Sequence, residues 1–111
     1  MEIFCHHVYK YWKGLRNLIL HTAPISDLPA IVHKLDHYGI PYLVHQIGEE
    51  RVNVFFGHPD CISVVQRFGT IDLSRLTDEQ DFILGIMLGY DRMKQCSRYL
   101  KKRHDREELI G

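Results

Sequence analysis

The stretch Ile40-Pro41-Tyr42-Leu43-Val44-His45-Gln46-Ile47-Gly48-Glu49-Glu50-Arg51-Val52-Asn53-Val54-Phe55-Phe56 decides the fold. Two β-rich runs, Ile40 to Ile47 and Val52 to Phe56, flank the short polar segment Gly48-Glu49-Glu50, the pattern of a hairpin. Side chains alternate with period two along a strand, so Val44 and Val54 share a face only if the loop has an odd number of residues. The loop Gly48 to Glu50 meets that condition. It sets Ile47 opposite Arg51, His45 opposite Asn53 and Leu43 opposite Phe55.

Upstream, Arg16-Asn17-Leu18-Ile19-Leu20-His21-Thr22 is a short β-rich run that Pro24 ends, and it reads as the first strand. Ser26-Asp27-Leu28-Pro29 opens a helix, with a capping residue type, an early acid and a proline tolerated in the first turn. Leu28, Ile31, Val32, Leu35 and Tyr38 make its apolar stripe, and Gly39 stops it. A strand–helix–strand unit leaves its two strands parallel. The hairpin makes the third strand antiparallel to the second. Placing the third strand in the middle gives the order 1-3-2.

Downstream, His58-Pro59-Asp60 starts a short helix whose buried side is Ile62, Val65 and Phe68, and Gly69 closes it. Leu73 to Leu76 suits one extra turn. Thr77-Asp78-Glu79-Gln80 is a capping box, in which the Thr77 hydroxyl accepts from the Gln80 amide and the Gln80 side chain reaches back. Phe82, Ile86, Gly89, Met93, Cys96 and Leu100 then step by four and three, the pattern of one long C-terminal helix. Residues 3–14 carry both a helical spacing (Phe4, Val8, Tyr11 or Trp12, Leu15) and a strand-like alternation (Ile3, Cys5, His7, Tyr9, Tyr11); a short helix is favoured.

These elements predict one α+β domain over 1–111: a three-stranded sheet in the order 1-3-2, helices packed mainly on one face, and a long C-terminal helix. The inward face should carry Leu18, Leu20, Tyr42, Val44, Val52, Val54 and Phe56. The outer face should carry Asn17, Ile19, His21, Leu43, His45, Ile47, Asn53 and Phe55, half of it apolar. Such a patch needs a cover. Residues 1–14 could supply it; so could a second copy, pairing face to face or edge to edge, and a homodimer is the expectation.

The chain has 111 residues, with 14 basic and 14 acidic side chains that cancel. That balance argues against a cationic nucleic-acid sponge and against an acidic tail protein. No cationic and apolar leader opens the chain, and no apolar run is long enough to span a membrane. Cys5, Cys61 and Cys96 are odd in number and widely spaced, unlike a secreted disulfide framework, so a cytoplasmic home is expected.

Catalytic motifs are wanting: the chain has no Gly-x-Ser-x-Gly elbow, no phosphate-binding glycine loop ending in lysine and no Cys-x-x-Cys pair. His33 and His37, one helical turn apart, lie off the apolar stripe and suit a solvated face. Cys5-His6-His7 and His58 with Cys61 lack the second pair that a structural zinc site requires. No metal and no cofactor is expected, and enzymatic activity is disfavoured. The sharper candidate is a ligand or interface surface on the outer sheet face: Ile19, His21, Leu43, His45, Asn53 and Phe55. In it His21, Asn53 and His45 form a polar row able to read a ligand or to titrate near neutrality. Gly85-x-x-x-Gly89 inside the last helix costs roughly 1 kcal/mol per glycine relative to alanine, and implies close approach to the sheet or to a partner helix. Arg92, Arg98, Lys101, Lys102 and Arg103 form a basic helix end, which is a solvated terminus or a docking surface for an acidic protein.

Three stretches carry a resemblance. They are His6-His7-Val8-Tyr9 with Lys13-Gly14-Leu15-Arg16-Asn17-Leu18-Ile19-Leu20-His21-Thr22, then Val52-Asn53-Val54-Phe55-Phe56-Gly57, then Asp81-Phe82-Ile83-Leu84-Gly85 with Gly89-Tyr90-Asp91. Over nearly the whole chain they resemble a family of small bacterial proteins that form a domain of unknown function. The resemblance implies a fold of three strands and about five helices, a homodimer, and genes that sometimes lie beside a flavodoxin gene. It carries over no catalytic residue. The combined expectation is a cytosolic, homodimeric accessory or binding protein without evident catalysis, serving a flavodoxin-type redox partner. The alternatives are a small-ligand binder or enzyme using the His/Asn row, and a weak nucleic-acid binder through the basic C-terminal helix.

Overall fold

The computed structural model describes residues 1–110. The elements run α1 (Glu2–Trp12), β1 (Leu18–Pro24), α2 (Leu28–His37), β2 (Tyr42–Ile47), β3 (Arg51–Gly57), α3 (Pro59–Gln66), α4 (Asp78–Met87) and α5 (Arg92–Ile110). Single 3-10 turns at Ile25–Asp27 and Leu73–Arg75 fill two of the connections. The sheet order is β1-β3-β2, and β3 is antiparallel to both neighbours. The segment that carried two patterns, 3–14, is helical as far as Trp12.

The hairpin register is the one the loop parity requires. Val44 pairs with Val54, His45 with Asn53, Leu43 with Phe55 and Ile47 with Arg51. Local chemistry sets the helix starts as well. His58 Nδ1 accepts from the Asp60 amide at 3.1 Å, with Pro59 in the first turn of α3. Both hydrogen bonds of the Thr77–Gln80 capping box are formed, at 3.1 and 3.0 Å.

Helices cover both faces of the sheet, which corrects the expectation of helices mainly on one face. Phe4 and Val8 of α1 and Ile31 and Leu35 of α2 pack on Ile19, Ala23, Val52, Val54 and Phe56. On the opposite side, Ile62 and Val65 of α3 and Leu84 and Leu88 of α4 pack with Leu18 and Phe55, and Leu20 and Leu43 adjoin them. Leu18-Ile19-Leu20 and Val54-Phe55-Phe56 are unbroken apolar runs, as befits strands buried on both faces. Strands of that kind carry no alternation from which to read parity. The β1 faces are therefore exchanged relative to expectation: Leu18 and Leu20 lie with Phe55, while Ile19 pairs with Phe56 and His21 with Val54. The apolar outer face is closed by the chain's own helices, so it does not call for a twin subunit.

The long C-terminal helix is present as α5, but the apolar run from Phe82 to Leu100 is not one helix. It is two helices, broken at Gly89, whose φ is +79°. The Gly89 amide donates to Ile86 and the Tyr90 amide to Gly85, at 3.0 and 3.1 Å, a glycine-terminated helix end. Asp91 then restarts the chain as α5 by accepting from the Lys94 amide at 2.8 Å. The new helix runs back along α4. The backbone at Gly85 lies so close to the Gln95 side chain that a Cβ there would displace it. The close approach implied by the glycine pair is thus helix to helix, and only Gly85 makes it.

Candidate functional site

The predicted His/Asn row does not form one surface. Asn53 is buried, and its Oδ1 accepts from Thr22 Oγ1 on β1 at 2.6 Å. His45 stands opposite Asn53 on β2. Leu43 and Phe55 share this side of the sheet, within the α3–α4 cluster. Ile19 and His21 point to the other side. There His21 sits 5.4 Å from the Phe4 ring and 5.5 Å from the His7 ring, centroid to centroid. Burial, and then the neighbouring His21, push the His7 imidazole below its ordinary range; burial does the same to His21. The partners that sequence reading missed, Thr22 and His7, follow from the one-residue exchange of β1 faces.

The basic end of α5 is largely spent on α4. Asp81 accepts from Arg98 through Nε at 3.0 Å and Nη2 at 3.2 Å, and Lys102 Nζ stands 3.5 Å away. Arg106 Nε donates to Asp78 at 2.6 Å, with Arg103 3.6 Å from the same oxygen. Tyr99 donates its hydroxyl to Glu79 at 2.7 Å. These donors hold Asp78, Glu79 and Asp81 below the usual carboxylate range. The acids that open α4 at its positive end therefore also neutralise the antiparallel helix. Of the five predicted docking residues, Arg98, Lys102 and Arg103 are engaged in this way. Arg92 and Lys101 are exposed and make no ion pair among the described residues.

A different surface combines apolar anchors with unneutralised charge. Phe4 and Val8 turn into the core, which leaves Cys5, Tyr9 and Trp12 along the flank of α1 that faces α2. From α2 and its C-terminal cap come Lys34 and Tyr38, one helical turn apart. Together with Val8 they enclose a groove of about 220 Å³. Trp12 and Tyr38 lie 5.8 Å apart, ring to ring, and Lys13 Nζ is 5.5 Å from the Tyr9 centroid. Lys34 Nζ donates to the Cys5 sulfur at 3.2 Å. Trp12, Tyr9 and Tyr38 are 66, 54 and 45% exposed. No carboxylate lines the groove. Cys5, Tyr9 and Trp12 do fall at i, i+4 and i+7, but nothing in the sequence shows that α1 lies beside α2.

A family model described as a protein of unknown function, DUF2023, matches residues 2–102. The chain belongs to the DUF2023 family. The DUF2023 match takes in every groove residue and ends within α5, before Arg103 and Arg106. No curated protein matches the chain. Among the described residues no three His, Cys, Asp or Glu side chains are grouped to hold a metal ion. No described helix is long and apolar enough to cross a membrane.

Proposed function

We propose that this DUF2023 protein is a binding protein without chemistry of its own, and that it docks an acidic protein partner in the α1–α2 groove. One contrast carries the reading. Arg98, Lys102, Arg103 and Arg106 of α5 already have carboxylate partners within the chain, whereas Lys13 and Lys34 stand beside exposed aromatic rings with no carboxylate among them. Exposed Trp and Tyr side chains are the anchors that protein interfaces favour, and unneutralised lysines beside them select an acidic rim. A flavodoxin-type redox protein, the partner class that the sequence resemblance implies, has that acidity. The cysteines Cys5, Cys61 and Cys96 are all free, which supports a reducing, cytosolic setting.

Trp12 is the sole tryptophan and reports on the groove directly. Titration of a purified flavodoxin-type protein into the full chain should change Trp12 emission, with an affinity that weakens as salt is raised. Lys13→Glu and Lys34→Glu should each weaken binding by about tenfold, and Lys101→Glu should not. Loss with Lys101→Glu alone would return the surface to α5. No response at ~100 μM partner would remove this partner class.

A further inference from the structure

A cavity of about 320 Å³ lies where α4, α5 and β1 meet. Its floor is apolar: Leu20 of β1, Leu73 of the Leu73–Arg75 turn, and Leu84 and Leu88 of α4. Leu84 and Leu88 are buried in the core, whereas Leu73 is 42% exposed. Two helical stripes line its walls. On α4, Asp81, Leu84, Gly85 and Leu88 stand at i, i+3, i+4 and i+7. On α5, Gln95, Arg98 and Lys102 stand at i, i+3 and i+7. The Gln95 amide group occupies the place where a Cβ of Gly85 would stand, so the two helices touch at that point.

The rim is polar, and its charges do not cancel. Asp81 accepts from Nε and Nη2 of Arg98 and stands 3.5 Å from Lys102 Nζ. One carboxylate thus faces two cations, and among the described residues no other carboxylate lines the cavity. The lining side chains together carry one net positive charge. Asp81 leaves unused the second terminal nitrogen of Arg98, Nη1, and all but one of the three ammonium hydrogens of Lys102. At the C-terminal end of α4, Arg16 donates to the Leu88 carbonyl and offsets the negative end of that helix.

We propose that this cavity binds a small organic monoanion, a carboxylate on an apolar body about the size of a bicyclic aromatic ring. Ligand cavities combine mostly apolar walls with a few placed polar groups, and this one is at the small end of their size range. The apolar body displaces water from the four leucines. The acid group accepts from the donors of Arg98 and Lys102 that Asp81 leaves over, so the ion pairs between α4 and α5 stay in place. A single negative charge cancels the net charge of the rim. A neutral ligand leaves that charge unanswered, and a dianion meets repulsion from Asp81. The site is independent of the α1–α2 groove.

Amide chemical shifts of the full chain, titrated with 2-naphthoate and with neutral 2-naphthamide, test it. The carboxylate should move the Gly85, Leu88 and Gln95 amides and saturate below ~1 mM, and the carboxamide should bind at least about tenfold more weakly. Lys102→Gln removes the net charge of the rim and should weaken 2-naphthoate by about tenfold. Leu73→Trp, at an exposed position, fills the space above the floor and should abolish the shifts. Where either variant loses the far-UV circular dichroism of the parent, the paired titrations of the parent decide. No shift at ~1 mM 2-naphthoate would overturn the proposal. So would equal binding of the carboxamide, shifts centred on Trp12 and Tyr38 instead, or parental affinity in either folded variant.

Discussion

Arg106 Nε donates to the buried carboxylate of Asp78 at 2.6 Å, so the distal part of α5 is tied to the first residue of α4 across the helix pair. Asp78 is 2% exposed at its side chain and Asp81 21%. Loss of Arg106 leaves the buried Asp78 carboxylate with only Arg103, at 3.6 Å, and weakening a buried pair costs more than weakening an exposed one. Arg106→Ala should therefore lower the melting temperature more than Arg98→Ala, although Arg98 makes the bidentate contact. Thermal melts of the two variants against the parent check the order.

The same carboxylates predict how α5 responds to acid. Asp78, Glu79 and Asp81 titrate lower in the folded chain than their ordinary values of 3.8, 4.5 and 3.8. Their contribution is complete above those ordinary values, and is lost as pH falls through the depressed folded ones. On acidification below about pH 4, α5 should separate from α4 before the sheet unfolds. Amide exchange at Tyr99, followed against that at Val54, reads the separation.

His7 and His21 act in a higher window. Both titrate below 6.5 in the folded chain, because burial disfavours the cation and because each would face other positive charge, His21 for His7 and the amino terminus for His21. The unfolded chain binds the proton first, so stability is complete above pH 6.5 and falls as pH drops toward the folded values. Urea denaturation at pH 7.5 and at pH 5.5 should show the loss, and His21→Gln should make it smaller.

The two-sided core gives a fourth measurement. Phe4 and Phe55 are fully buried on opposite faces of the sheet. Each, replaced by alanine, should cost about 3–5 kcal/mol in urea denaturation. Near-neutral behaviour of Phe55→Ala would contradict a sheet covered on that side.

Gly89 gives a fifth. At φ +79° an alanine is strained, so Gly89→Ala should cost about 1 kcal/mol or more. Gly85→Ala should be milder, because the group in its way is the end of the flexible Gln95 side chain. Chemical denaturation of the two variants separates a backbone requirement from a side-chain contact.

What could be read beforehand was local. The capping box at Thr77, the His58 cap and the odd hairpin loop each depend on residues a few positions apart, and each is present. The strand order followed from one hairpin and one crossover. The break at Gly89 was local too, but the apolar spacing runs straight through it, since Phe82 to Leu100 keep their steps of four and three whether or not the helix turns back. At β1 the evenly apolar run Leu18-Ile19-Leu20 hid its parity, and the proposed histidine row failed for that reason.

The sequence alone determined the element types from β1 onward, the β2–β3 register and the order of the strands, because hydrogen-bond caps and period-two alternation act over a few residues. Only the tertiary structure decided that α3 and α4 close the second face, that the acids of α4 quench the cations of α5, and that Trp12 and Tyr38 meet beside Lys34. Those results depend on which helices lie side by side, and contacts between residues distant in sequence leave no periodic trace in the chain.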